Sequence, residues 1–151
     1  MYLATGSQDR TVRLWDVQRG ACVRIFLGHQ APISSLAISP DGKYLASAGE
    51  DLAISLWDIG SGKRIKKMLG HTAPINSINF DAGSNLLVSA SSDYSVRCWD
   101  ALSSNTEHLD NNSTSDLLET FYSKNSPALD VRFTPRNLCL AAFDGGSISH
   151  E

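Results

Sequence analysis

Trp-Asp recurs at Trp15-Asp16, Trp57-Asp58 and Trp99-Asp100, 42 residues apart each time. Two further series keep the same register. Gly-His stands at Gly28-His29 and Gly70-His71, while Asp9, Asp51 and Asp93 each lie six residues before a Trp. One dipeptide can repeat by accident, but three markers in a single register require a duplicated structural unit. A unit of this length cannot bury a core alone, so it folds by packing on its neighbours. The 151 residues are therefore read as an array of like units.

Each unit reads as short strands. After Gly28-His29, the segment Ile33–Ile38 mixes apolar and small residues and ends at the turn sequence Ser39–Gly42. Tyr44–Ala48 then runs into a tight turn at Gly49–Asp51, and Ile54–Trp57 is rich in strand formers. Gly60–Gly62 marks another turn. Arg64–Leu69 follows as a fourth strand, whose Lys side chains suit a solvated outer edge. The next unit repeats the order at Ile75–Phe80, Leu86–Ala90 and Val96–Trp99. No segment sustains an apolar period of 3.6, so helix is at most a minor component.

These residues resemble the WD40 family, in which each repeat builds a four-stranded propeller blade. The resemblance implies an all-β propeller of about three and a half blades, the C-terminal part of a seven-bladed ring. Its repeat units would be about 2–16, 28–58, 70–100 and 117–143, with a polar loop at 101–116 and a tail at 144–151. It also implies two hydrogen-bonded tetrads, His29, Ser47, Asp51 and Trp57, then His71, Ser89, Asp93 and Trp99. The first unit keeps only Thr5, Asp9 and Trp15.

Ser, His and Asp together could suggest a nucleophilic triad. A nucleophile needs one site, however, and this set appears in every complete repeat, as a blade-closing network would. No catalytic residue is expected. Nor is a metal or cofactor, because His29, His71, His108 and His150 lack Cys or His partners at ligand spacing.

Composition limits the partners. Thirteen basic against sixteen acidic residues give a net charge of −3, without the basic excess that direct nucleic-acid or anionic-membrane binding requires. No apolar run approaches membrane-spanning length, and Met1–Gly6 lacks the basic and apolar parts of a secretory leader. Cys22, Cys98 and Cys139 are odd in number and far apart. They read as thiols in a reducing compartment, with Cys98 and Cys139 buried in apolar runs. Asn111 and Asn112 fit an N-glycosylation pattern that such a compartment leaves unused.

The last third narrows the resemblance. Thr114–Leu118, Phe121–Lys124 and Phe133–Ala142, with Phe26–His29 and Trp57–Arg64, resemble the TBP-associated-factor family that supplies the WD40 subunit of TFIID and SAGA-type coactivators. That resemblance implies a nuclear, non-catalytic scaffold in RNA polymerase II transcription initiation. Its partners would be histone-fold TBP-associated factors and other TFIID or SAGA components. A closed ring of such units needs roughly 290 residues, so the other propeller half is expected as a further partner. Two other classes compete: a module that reads a modified peptide, and an adaptor of a ubiquitin ligase or signalling complex. By family geometry, Gln8, Gln30, Glu50, Thr72 and Ser92 lie on the top face where a peptide would be read. They include no Arg cluster and no aromatic cage. Lys63, Arg64, Lys66 and Lys67 form the basic cluster, expected on a solvated outer strand or as a weak nuclear-import signal.

Overall fold

A computed structural model describes residues 1–102 and 116–144. The expected loop at 103–115 and most of the tail, 145–151, lie outside the described residues.

The short alternating and turn-bounded segments become thirteen strands and no helix among the described residues. The first sheet holds β1 (Tyr2–Gly6), β2 (Thr11–Asp16) and β3 (Ala21–Leu27) in chain order. The second holds β4 (Ile33–Ile38), β5 (Tyr44–Gly49), β6 (Ala53–Asp58) and β7 (Arg64–Leu69). The third holds β8 (Ile75–Phe80), β9 (Leu86–Ser91), β10 (Ser95–Asp100) and β11 (Leu117–Tyr122), and the fourth β12 (Ala128–Phe133) and β13 (Cys139–Phe143). All pairings are antiparallel. The unit drawn on sequence as 117–143 is divided: β11 completes the third sheet beside β10, and only β12 and β13 form the fourth. A blade's outer strand lies after its Trp-Asp, so unit boundaries and sheet boundaries are offset by one strand.

The core consists of three seams between sheets. Val12, Leu14 and Phe26 meet Leu45 and Trp57 across the first. Ile54, Leu56 and Met68 meet Ile78, Phe80, Leu87 and Trp99 across the second. Val88, Ala90 and Val96 meet Ala128 and Val131 across the third. The middle strands β5 and β6 are consequently buried on both faces and show no hydrophobic alternation. Their small residues, Ala46, Ser47, Ala48, Ala53 and Ser55, sit where two sheets press together.

The register slips once in each Trp-bearing strand, at Leu14/Trp15, Leu56/Trp57 and Cys98/Trp99. Such bulges re-aim a side chain, and these fall at the three repeated Trp positions. Polar side chains of the inner strands link neighbouring sheets. Ser34 Oγ donates to the Ile75 carbonyl, Asn76 Nδ2 donates to the Ala128 carbonyl at 2.8 Å, and Phe133 N–H donates to Asn79 Oδ1 at 3.0 Å.

Two expectations are corrected here. Cys139 is exposed rather than buried, because the outward face of β13 has no sheet against it among the described residues, and Cys22 is exposed as well. Lys66 is not solvated. Its side chain is 17% exposed and donates to Asp116 Oδ1 at 2.8 Å and to the Asp100 carbonyl at 3.3 Å. It thereby pins the second sheet to both ends of the insertion, where Asp100 N–H also donates to the Asp116 carbonyl at 2.8 Å. Surface ion pairs contribute little, but this one is largely desolvated on both sides. Lys66→Ala should destabilise the chain by about 1–2 kcal/mol. Asp116→Ala should cost about the same, and the double variant little more, in a thermal-unfolding cycle. Additive losses would show that the two side chains do not act together.

Candidate functional site

The repeated polar residues converge within each complete sheet. Trp57 Nε1–H donates to Ser47 Oγ at 2.8 Å, Ser47 Oγ lies 2.7 Å from His29 Nε2, and His29 Nδ1 lies 2.7 Å from Asp51 Oδ2. One repeat later the same distances recur: Trp99 to Ser89 at 2.8 Å, Ser89 to His71 at 2.7 Å, and His71 to Asp93 at 2.7 Å. The donor inventory orders the protons. Each Ser oxygen accepts from the indole, so its own proton goes to Nε2, and the ring's Nδ1–H goes to the carboxylate.

Backbone geometry positions the histidines. Gly28 and Gly70 have φ of +149° and +150°, and a Cβ there would meet an Arg guanidinium and the Trp ring at 3.3 Å or less. Only glycine lets the chain turn so close to the indole. Gln30 N–H and Thr72 N–H donate to the same carboxylate oxygens that meet the histidines, Asp51 Oδ2 and Asp93 Oδ2, each at 3.1 Å.

Burial alone would raise the Asp93 carboxyl, but hydrogen bonds from Ser95, His71 and Thr72 outweigh it and hold it at about 2. Asp51 is lowered in the same way, burial being outweighed by His29 and Gln30. Burial pulls the His71 imidazole down despite Asp93 beside it, which keeps it neutral at pH 7.

The first sheet differs. Trp15 Nε1–H donates to Thr5 Oγ1 at 2.9 Å. Asp9, by contrast, meets Thr11 and Arg13 instead of a histidine. Ser47 and Ser89 are both 0% exposed, and each Oγ sits between a tryptophan indole and a histidine ring. Among the described residues no group of three or more His, Cys, Asp or Glu could hold a metal.

The candidate top-face residues lie around the hairpin tips that carry the repeated Asp. Gln8, Gln30, Glu50 and Thr72 are exposed, while Ser92 is half-buried and bonded to Asn76 at 3.0 Å. Sequence reasoning missed the residues beside them. Arg10, Leu52 and Tyr94, again 42 apart, adopt positive φ of 69°, 62° and 66° at these tips. The spacing alone could have found them. Arg64 was read only as part of the basic cluster, but its guanidinium lies 5.8 Å over the Trp57 ring.

Radially repeated antiparallel sheets, packed face to face and each complete one closed by the same buried network, define blades of a β-propeller. The family model "WD domain, G-beta repeat" matches residues 1–16, 20–58 and 62–100, and the chain belongs to this WD40 family. Two solved structures share its fold. "Structure of U3-55K" superposes with a TM-score of 0.80 at 24% identity, over 93% of this chain and 42% of that one. "Crystal structure of RRP9 WD40 repeats" does so with a TM-score of 0.80 at 25% identity, over 93% and 41%.

Three curated relatives match over about one repeat. Mouse F-box-like/WD repeat-containing protein TBL1X is 58% identical over 41 residues, 27% of this chain and 8% of the relative. Caenorhabditis elegans transcription initiation factor TFIID subunit 5 is 55% identical over 42 residues, 28% of this chain and 6% of the relative. Nuclear distribution protein PAC1 of Fusarium vanettenii is 48% identical over 42 residues, 28% and 9%. The matched segments are thus small fractions of each relative.

Proposed function

We propose that the chain is part of a non-catalytic, nuclear scaffold of the TFIID and SAGA type, which joins histone-fold TBP-associated factors and neighbouring subunits during RNA polymerase II transcription initiation. A protein-interaction role follows from membership of the WD40 family. The observation that carries the finer reading is the 55% identity to a TFIID subunit 5. The closing strands β11 to β13, whose sequence resembles that family, support it as well.

The buried tetrads support the non-catalytic reading. Their only nucleophile-like oxygens, on Ser47 and Ser89, are inaccessible to any substrate. We propose that the tetrads serve as staples holding each blade's four strands in register. Gln8, Gln30, Glu50, Thr72 and Ser92 are the proposed partner contacts on the top face.

A second reading is favoured by the 58% match to the F-box-like/WD repeat-containing protein TBL1X: an adaptor of a ubiquitin ligase or signalling complex. One experiment separates the two. Tagged chain is recovered from nuclear extract and the co-purifying proteins are identified by mass spectrometry. Histone-fold TBP-associated factors in the eluate are the expected result. Recovery of ubiquitin-ligase subunits in their place would replace the first reading with the second.

A further inference from the structure

The second blade departs from its neighbours at one repeated position. Residues 13, 55 and 97 are equivalent by the 42-residue period and are Arg, Ser and Arg, while two residues earlier stand Thr11, Ala53 and Ser95. In the first and third blades these positions are joined. Arg13 Nε donates to Thr11 Oγ1 and Arg97 Nε to Ser95 Oγ, both at 3.4 Å. Each guanidinium also faces its own hairpin-tip carboxylate, Asp9 at 3.3 Å and Asp93 at 3.9 Å. The second blade lacks the hydroxyl and the guanidinium together.

A guanidinium arrives there from another strand. The outer-strand residues opposite the three tryptophans are Cys22, Arg64 and Leu117, so the blade without an arginine on its Trp-bearing strand is the one that carries it on its outer strand. Arg64 Nη1 lies 2.9 Å and Trp57 Cη2 3.3 Å from a Cβ built on Gly28. In the third blade Arg97 Nη1 lies 2.7 Å and Trp99 Cη2 3.3 Å from a Cβ built on Gly70. Two arginines on different strands thus bring the same group to the same place.

We infer that Arg64 is a relocated member of the second blade's network, holding the Gly28-His29 turn as Arg97 holds Gly70-His71. Glycine is required where the backbone meets the indole, and it leaves open the space that a side chain would fill. The guanidinium fills that space and keeps water from the turn and from the indole edge. Arg64 does so while lying 5.8 Å over the Trp57 ring, within cation–π range. This role is independent of which partner the blade meets. It also changes the meaning of the basic cluster: Arg64 is committed to Trp57 and Lys66 to Asp116, which leaves Lys63 and Lys67 as its exposed lysines.

Hydrogen exchange of the full chain, followed by NMR, tests the assignment. In Arg64→Ala, the Trp57 indole N–H and Gln30 N–H should exchange about tenfold faster or more through local opening, with Trp99 and Thr72 unaffected. Arg97→Ala should give the opposite result, accelerating Trp99 and Thr72 alone. Lys67→Ala, which removes an exposed cation from the same strand, should change neither blade. Moving the arginine to the place it has in the third blade, as Ala53→Ser/Ser55→Arg/Arg64→Ala, should restore slow exchange at Trp57.

Unchanged exchange in Arg64→Ala, or equal acceleration in both blades, would overturn the inference. So would a relocated variant that folds but leaves Trp57 exchanging fast. If that variant does not fold, the opposite signatures of Arg64→Ala and Arg97→Ala decide the matter.

Discussion

Replacing Trp99 by alanine should destabilise the protein by about 3–5 kcal/mol, the range for removing a large buried aromatic side chain. The ring is 1% exposed and packs in the seam between the second and third blades. Its loss removes apolar contact across two sheets and leaves Ser89 without its indole donor. Trp99→Phe keeps most of the packing and loses only the N–H, so about 1–2 kcal/mol is expected. Trp15→Ala should cost less than Trp99→Ala, since Trp15 is only half-buried and its sheet has no histidine network among the described residues. Urea unfolding midpoints of the three variants check the order. A Trp99→Ala midpoint matching that of the unaltered chain would show that this network does not hold the blade together.

Acid should weaken the fold through the same network. The Asp93 carboxyl sits at about 2 in the folded chain against an ordinary 3.8. The folded state therefore binds that proton less readily than the unfolded state does. The stabilisation is complete above pH 4 and is lost as pH falls through 2, to a total on the order of 2 kcal/mol. Burial lowers the His71 imidazole, which has the same sign: its contribution is full above 6.5 and declines as the pH falls below it. Stability measured by denaturant titration should thus fall continuously on the acid side of neutrality. Asp93→Asn should lower stability at pH 7 and flatten the limb between pH 4 and pH 2. An unchanged acid limb in that variant would place the titrating groups elsewhere.

What the sequence disclosed depended on repetition. His71, Ser89, Asp93 and Trp99 can be grouped on paper because His29, Ser47, Asp51 and Trp57 occupy the same places one period earlier. The hydrogen bonds within each set then span 10 to 22 residues of a single repeat. Features made between repeats left no such trace. Lys66 meets Asp116 across 50 residues and the far end of an insertion, so nothing in the pattern of β7 distinguishes it from its neighbour Lys67.

The inner-strand ties of Ser34, Asn76 and Asn79 were likewise invisible, because their partners are backbone groups or lie in another blade. Cys139 was misjudged for a related reason. An apolar run is buried only where a second sheet covers it, and β13 presents its outward face to solvent. Arg24 has no sequence signature either, since its Nη2 donates to the Gly60 carbonyl in a turn of the next blade.

The separation between the two sets of contacts bears on how the chain reaches its native state. Each tetrad closes a loop of at most 22 residues. The ties between inner strands span 41 to 54. Closing the short loops has the smaller entropic penalty, so contacts within a blade can form ahead of those to its neighbour, on which the blade still depends to bury its core. The longer ties then add one ordered sheet to another, with no contact required from the distant end of the array. Growth in this manner suits a polypeptide leaving the ribosome, where each tetrad can close once its tryptophan has emerged and the blade is secured when its outer strand follows and packs with the blade before it.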